Sequence, residues 1–157
     1  MDPAAGPAVG EQGPDFELRD QHGTSVRLSA LRGARNVVLV FYPFAFSSVC
    51  SGELRALRDS FPEAGRPDVA LLAISADPMF SLRSWADAED FRFRLLSDFW
   101  PHGAVARSYG VFDEKLGAVS RGTFILDKAG VVRWKVISPI PQARDIADYQ
   151  KALAGLA

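Results

Sequence analysis

The sequence predicts an α/β domain with a mixed sheet flanked by helices. Three observations carry this. Residues 36–42 and 69–75 are apolar runs without polar alternation, the pattern of strands covered on both faces. Each is followed by a helical pattern, over 53–61 and 79–88. The chain then closes with two strands, 122–127 and 131–137, joined by the tight link Lys128-Ala129-Gly130, and a final helix over 144–156. At 157 residues, 48% hydrophobic and 24% charged, it has the size and composition of a single domain, 1–157, with one core. No repeat or low-complexity segment divides it.

The remaining elements follow in order. Residues 1–13 are rich in Ala, Gly and Pro, which predicts a mobile tail with order beginning near Pro14. Phe16 and Leu18 alternate with Glu17 and Arg19, Asp20 to Gly23 read as a turn, and Val26 and Leu28 resume the alternation. That is an N-terminal β-hairpin. Ser29 is expected to cap a short helical turn through Leu31. Cys50, Leu54, Leu57 and Phe61 fall on one helical stripe, with Arg55, Arg58 and Asp59 on the other side. A short strand over 93–97, an aromatic loop over 99–103, helical turns over 104–109 and an extended loop over 138–141 complete the pattern.

Composition excludes several classes. A net charge of −1 gives no electrostatic case for nucleic acid or an anionic membrane. No apolar run approaches the ~20 residues needed to span a bilayer. Met1 to Pro7 lacks the basic start and apolar core of a signal peptide, so a cytoplasmic protein is expected. One cysteine allows neither an internal disulfide nor a zinc site of clustered thiolates. His22 and His102 read as loop residues, and no metal or cofactor is expected.

The chemistry centres on that cysteine. Cys50 lies where the strand 36–42 hands over to a helix. A cysteine in a first helical turn faces unpaired N–H groups and the positive end of the dipole, which favour thiolate. A larger thiolate fraction gives only about tenfold in rate near neutral pH. Strong catalysis therefore needs groups that stabilise the transition state. Ser47, three residues earlier, can aim its hydroxyl at the sulfur or at a bound oxygen; it or Ser48 can equally cap the helix. Pro43 removes an N–H and walls the sulfur, or simply ends the strand.

Pro43-x-x-x-Ser47-x-x-Cys50 resembles the peroxiredoxin signature Pro-x-x-x-(Thr/Ser)-x-x-Cys. Gly13-Pro14-Asp15-Phe16, Leu95-Leu96-Ser97-Asp98, Tyr109-Gly110-Val111 and Arg121-Gly122-Thr123-Phe124-Ile125-Leu126-Asp127 resemble further segments of that family in the same order. Phe41 to Phe46 and Ser97 to Val105 are similar to its one-cysteine, alkyl hydroperoxide reductase E-like branch. The resemblance implies a thioredoxin-like fold and a thiol-dependent peroxidase acting on hydrogen peroxide, organic hydroperoxides and peroxynitrite. By residue, it implies that Cys50 attacks the peroxide, Ser47 hydrogen-bonds the substrate oxygen, Pro43 shields the site and Arg121 orients thiolate and peroxide. It makes Glu53 a supporting candidate. It also implies a homodimer. The missing second cysteine implies an external reductant, either a low-molecular-weight thiol with a glutaredoxin-like protein or thioredoxin.

The residues alone leave rivals. One is a cysteine hydrolase with His102 as base. Another is a thioredoxin-fold binding or chaperone module with an incidental thiol, buried and inert. Phe44, Phe46, Trp85 and Trp100 fit a peroxide pocket, a dimer contact or the core.

Overall fold

The computed structural model describes residues 6–156. In chain order its elements are β1 (Glu17–Arg19), β2 (Ser25–Arg27), β3 (Asn36–Phe41), α1 (Ser48–Ser60), β4 (Val69–Ser75), α2 (Met79–Glu89), β5 (Arg94–Ser97), α3 (Ala104–Ser108), β6 (Phe112–Asp113), β7 (Ala118–Val119), β8 (Arg121–Leu126), β9 (Val132–Ser138) and α4 (Ile146–Ala154). Seven strands form one mixed sheet in the order β2-β1-β5-β4-β3-β8-β9. The centre, β3 to β5, is parallel. β8 and β9 continue it antiparallel on one side, and the hairpin β1–β2 joins antiparallel to β5 on the other.

Every residue of β3 and β4 is buried, which explains their unbroken apolar sequences. Side chains alternate between the two faces of a strand. Leu39, Phe41, Leu72 and Ile74 pack on one face with Tyr109 and Phe124. Val38, Val40, Leu71 and Ala73 pack on the other, under Leu54 and Leu57 of α1, Leu82 and Trp85 of α2, and Tyr149 and Leu153 of α4. No helix among the described residues is long and apolar enough to cross a membrane.

Several expectations need correction. Residues 10–13, expected in a mobile tail, instead lie along the β8–β9 hairpin. Gly10 N–H donates to Val132 O at 2.7 Å, Val132 N–H to Glu11 O at 2.9 Å and Gly13 N–H to Gly130 O at 2.9 Å. Backbone pairing needs no apolar composition, so composition misses it. Residues 1–5 of that expected tail lie outside the described residues. Ser29 caps nothing; its own N–H donates to Asp15 Oδ1 at 2.8 Å. α1 begins at Ser48, ahead of the expected residue 53, so that Cys50 sits inside its first turn. α4 begins at Ile146, behind an Asp145 cap that accepts from Ala147 N–H at 2.9 Å. Arg144 therefore precedes the helix instead of belonging to it. The ribbon β6–β7 has two residues per strand, too few to show a period.

Gly122 on β8 has a packing role beside the site. A Cβ there would lie 2.6 Å from Val111 Cγ1, a β-branched neighbour that cannot swing aside. Gly122→Ala is predicted to strain β8 and destabilise the protein by about 1–3 kcal/mol, measured as a lower midpoint in thermal unfolding.

Candidate active site

Cys50 is fully buried at the start of α1, under the end of β3. Pro43, also buried, follows Tyr42 and ends the strand because it has no N–H to pair. Ser47 occupies the N-cap position of α1 but makes no capping bond. Its hydroxyl turns back and donates to Phe44 O at 2.8 Å. The helix therefore starts with no side chain across its first N–H groups.

Among the described residues one side chain hydrogen-bonds the sulfur. Arg121, the first residue of β8, donates from Nη1 to Cys50 Sγ at 3.2 Å. The same Nη1 donates to Glu53 Oε1 at 2.5 Å, and its Nε bonds Ile140 O. Its side chain is 2% exposed. Read from sequence without the family, Arg121 would be a surface ion-pair residue; the fold makes it a buried one, fixed at three points.

Glu53 is reached because it lies three residues after Cys50, on the same inward side of α1. A buried carboxylate needs partners, and this one has four bonds from two arginines. Besides Arg121, Arg144 donates its backbone N–H to Oε2 at 2.7 Å, Nε to Oε2 at 2.8 Å and Nη2 to Oε1 at 2.9 Å. Arg144 Nη1 also bonds Phe41 O at 2.8 Å, Gly122 O at 2.9 Å and Thr123 Oγ1 at 3.1 Å. Thr123 Oγ1 in turn lies 2.7 Å from Tyr149 Oη. One residue outside any regular element thus joins β3, α1 and β8.

Sequence reading missed Arg144. The available signal was Glu53 itself: an acid on the buried stripe of a helix requires a cation, and Arg121 alone leaves carboxylate lone pairs unfilled. The charge count has a chemical consequence. Two guanidiniums face one carboxylate, leaving one positive charge over, and Arg121 directs it at the sulfur. The arrangement suits a reaction in which negative charge resides on sulfur and spreads to atoms attached to it.

The other candidates separate. Trp85 is core, 1% exposed, its ring packed at a tilt against Tyr42 at 5.5 Å and Phe46 at 6.1 Å. Phe44, Phe46 and Trp100 are exposed. His102 uses Nε2 on Gly117 O at 2.8 Å and packs edge-on against Phe112. It is no partner of the thiol, so the hydrolase arrangement of a histidine against sulfur is absent among the described residues.

Residues 9–135 match the AhpC/TSA family. The chain is 49% identical over 148 residues to a Mycobacterium tuberculosis protein named alkyl hydroperoxide reductase E, covering 94% of this chain and 97% of that one. Among solved structures it is similar to peroxidoxin BcpB from Mycobacterium tuberculosis, with a TM-score of 0.80 and 35% identity over 94% of this chain and 95% of that one. It is also similar to AhpC of Enterococcus faecalis, with a TM-score of 0.85 and 25% identity over 94% and 91% of the two chains.

The cluster makes a pH prediction. Burial pushes the Glu53 carboxyl up, but the Arg144 hydrogen bonds and charge, with the Arg121 charge, outweigh it and hold the group below its ordinary value of 4.5. A carboxyl lowered by folding adds stability above its unfolded value, and that stability is lost as pH falls through the folded value. Glu53→Gln leaves two buried arginines unneutralised and is predicted to cost about 3–5 kcal/mol at neutral pH. In urea titrations the gap between wild type and Glu53→Gln should narrow as pH drops below 4.5, where the carboxyl of the unfolded chain binds protons that the folded one does not yet take up, until the pH passes below the folded value.

Proposed function

The chain belongs to the AhpC/TSA family and is a thioredoxin-like peroxiredoxin, a thiol peroxidase; from that premise we propose that it reduces peroxides by a one-cysteine mechanism at Cys50. One observation carries the assignment of residues: a buried guanidinium, Arg121, touches the protein's only cysteine sulfur at 3.2 Å. Substrates in this reading are hydrogen peroxide, organic hydroperoxides and peroxynitrite.

The Cys50 thiolate attacks the nearer peroxide oxygen along the O–O axis. The S–O bond forms as the O–O bond breaks, sulfur is oxidised by two electrons, and the leaving oxygen takes a proton and departs as water or an alcohol, or leaves as nitrite when the substrate is peroxynitrite. Arg121 keeps its charge and stabilises the negative charge as it moves from sulfur to oxygen. The Ser47 proton is committed to Phe44 O, so Ser47 Oγ meets the substrate as an acceptor from its O–H group. Pro43 excludes water from one side. The product is Cys50 sulfenic acid. With one cysteine in the chain, an external thiol must attack that sulfur, expel water and leave a mixed disulfide, which a second thiol then reduces. A low-molecular-weight thiol with a glutaredoxin-like protein, or thioredoxin, fills this role.

The whole chain acts as one domain, 1–157, in the cytoplasm in this proposal. Phe80, Phe99 and Trp100 are 75%, 49% and 79% exposed and line one cleft with Met79. Such a patch is unusual on a monomer and supports a homodimer.

The test is oxidation of Cys50 by hydrogen peroxide in stopped flow, followed by Trp fluorescence, with the sulfenic acid trapped and weighed. Arg121→Ala is predicted to slow oxidation by about 10²–10³. Arg121→Lys keeps a charge but cannot hold Ile140 O, Glu53 and sulfur from one rigid fork, and should fall between. Cys50→Ser should trap nothing. Wild-type oxidation rates in both Arg121 variants would contradict its assignment.

A further inference from the structure

Asp77 follows β4 and lies outside the ion cluster, yet it is bonded to the loop that carries Ser47. Its Oδ2 accepts the Ala45 N–H at 2.9 Å and the Ser75 hydroxyl at 2.7 Å. Ser75 is fully buried at the end of β4, and Ser97 Oγ donates to Asp77 O at 2.6 Å, so the carboxylate stands on the rigid end of the sheet. The Ala45 N–H belongs to the same planar peptide group as the Phe44 carbonyl. That carbonyl is the acceptor of the Ser47 hydroxyl at 2.8 Å and of the Ser47 N–H at 3.4 Å.

We propose that Asp77 is a positioning residue for the reaction at Cys50, setting the direction of the Ser47 hydroxyl through the Phe44–Ala45 peptide. This rests on the peroxidase reading above. The carboxylate fixes the rotation of the peptide plane and, by a charge-assisted bond to its N–H, makes its carbonyl a stronger acceptor. The carbonyl then holds the hydroxyl proton of Ser47. Its oxygen is left with lone pairs facing the site, ready to accept from a peroxide O–H. With Asp77 removed, the plane can turn, and the freed hydroxyl no longer presents its oxygen as an acceptor to the peroxide O–H.

The loop needs such a constraint. Phe46 has φ +70°, a region that an aromatic residue rarely occupies and that persists only where the surroundings over-determine it. Asp77 holds the loop from the Ala45 side and Trp85 packs on the Phe46 ring from the other.

The experiment compares wild type, Asp77→Ala, Asp77→Asn, Ser47→Ala and the double variant Asp77→Ala/Ser47→Ala. It reads the rate of Cys50 oxidation by hydrogen peroxide, the rate of Cys50 alkylation by iodoacetamide, and the thermal midpoint. Alkylation needs a reactive sulfur but no oriented hydroxyl. Asp77→Ala is expected to slow oxidation by about ten- to a hundredfold while alkylation stays within about twofold. Asp77→Asn, whose amide oxygen can accept the same two bonds, should recover most of the rate. In the Ser47→Ala background, loss of Asp77 should cost little more, because both act through one hydroxyl. Asp77→Ala oxidising at the wild-type rate overturns the proposal. So does a parallel fall in alkylation and thermal midpoint, an Asp77→Asn variant as slow as Asp77→Ala, or a full additive loss in the double variant. A wild-type chain that peroxide leaves unoxidised defeats the peroxidase reading itself, a different result from a fast wild type matched by a fast Asp77→Ala.

Discussion

The structure around Cys50 depends on one carboxylate, Glu53, buried between two arginines. Its four hydrogen bonds come from Arg121 and Arg144, whose side chains are each 2% exposed. A buried ion cluster adds little net stability, because the cost of desolvation offsets much of the attraction. Its effect is positional. Glu53 holds the guanidinium of Arg121, and Arg121 is the group that touches sulfur.

That constraint reaches every element near the site. Glu53 is on α1, one turn after Cys50, and Arg121 opens β8. Arg144 binds the last carbonyl of β3 and the second carbonyl of β8 while it clamps α1. β3 and β8 are already paired antiparallel, so the cluster sits at a shared strand end where backbone motion is small. The uncompensated positive charge is therefore fixed in direction before any substrate arrives. Preorganised charge of this kind acts without reorganisation during the reaction, which is where its effect on rate comes from.

How much of this was legible in the sequence differs from residue to residue. β3 and β4 were plain, because a strand buried on both faces is apolar throughout. The placement of Cys50 was plain too, since the stripe through Leu54, Leu57 and Phe61 points it inward. Arg121 was visible only through resemblance; 71 positions separate it from Cys50, and only strand pairing brings them together. Arg144 was not visible. It lies in no periodic segment, and its role comes from being held just ahead of a capped helix. Asp77 was hidden for a similar reason: a turn residue before Pro78 gives no hint that its carboxylate reaches back to Ala45. Docking of residues 10–13 by backbone bonds left no trace in composition.

The central claim is that this arrangement favours O–O cleavage in particular and not thiol reactivity in general. The most direct measurement is the ratio of two rates on the unmodified protein, Cys50 with hydrogen peroxide and Cys50 with iodoacetamide, each set against free cysteine at the same pH. The alkylating agent reacts at carbon and brings no oxygen at the reacting centre for Arg121 to hold, and burial of the sulfur hinders it. The account predicts a peroxide rate about 10² or more above that of free cysteine, with alkylation no faster than that of free cysteine. Equal enhancement of both rates would mean that Cys50 is merely a reactive thiol, and would contradict the account.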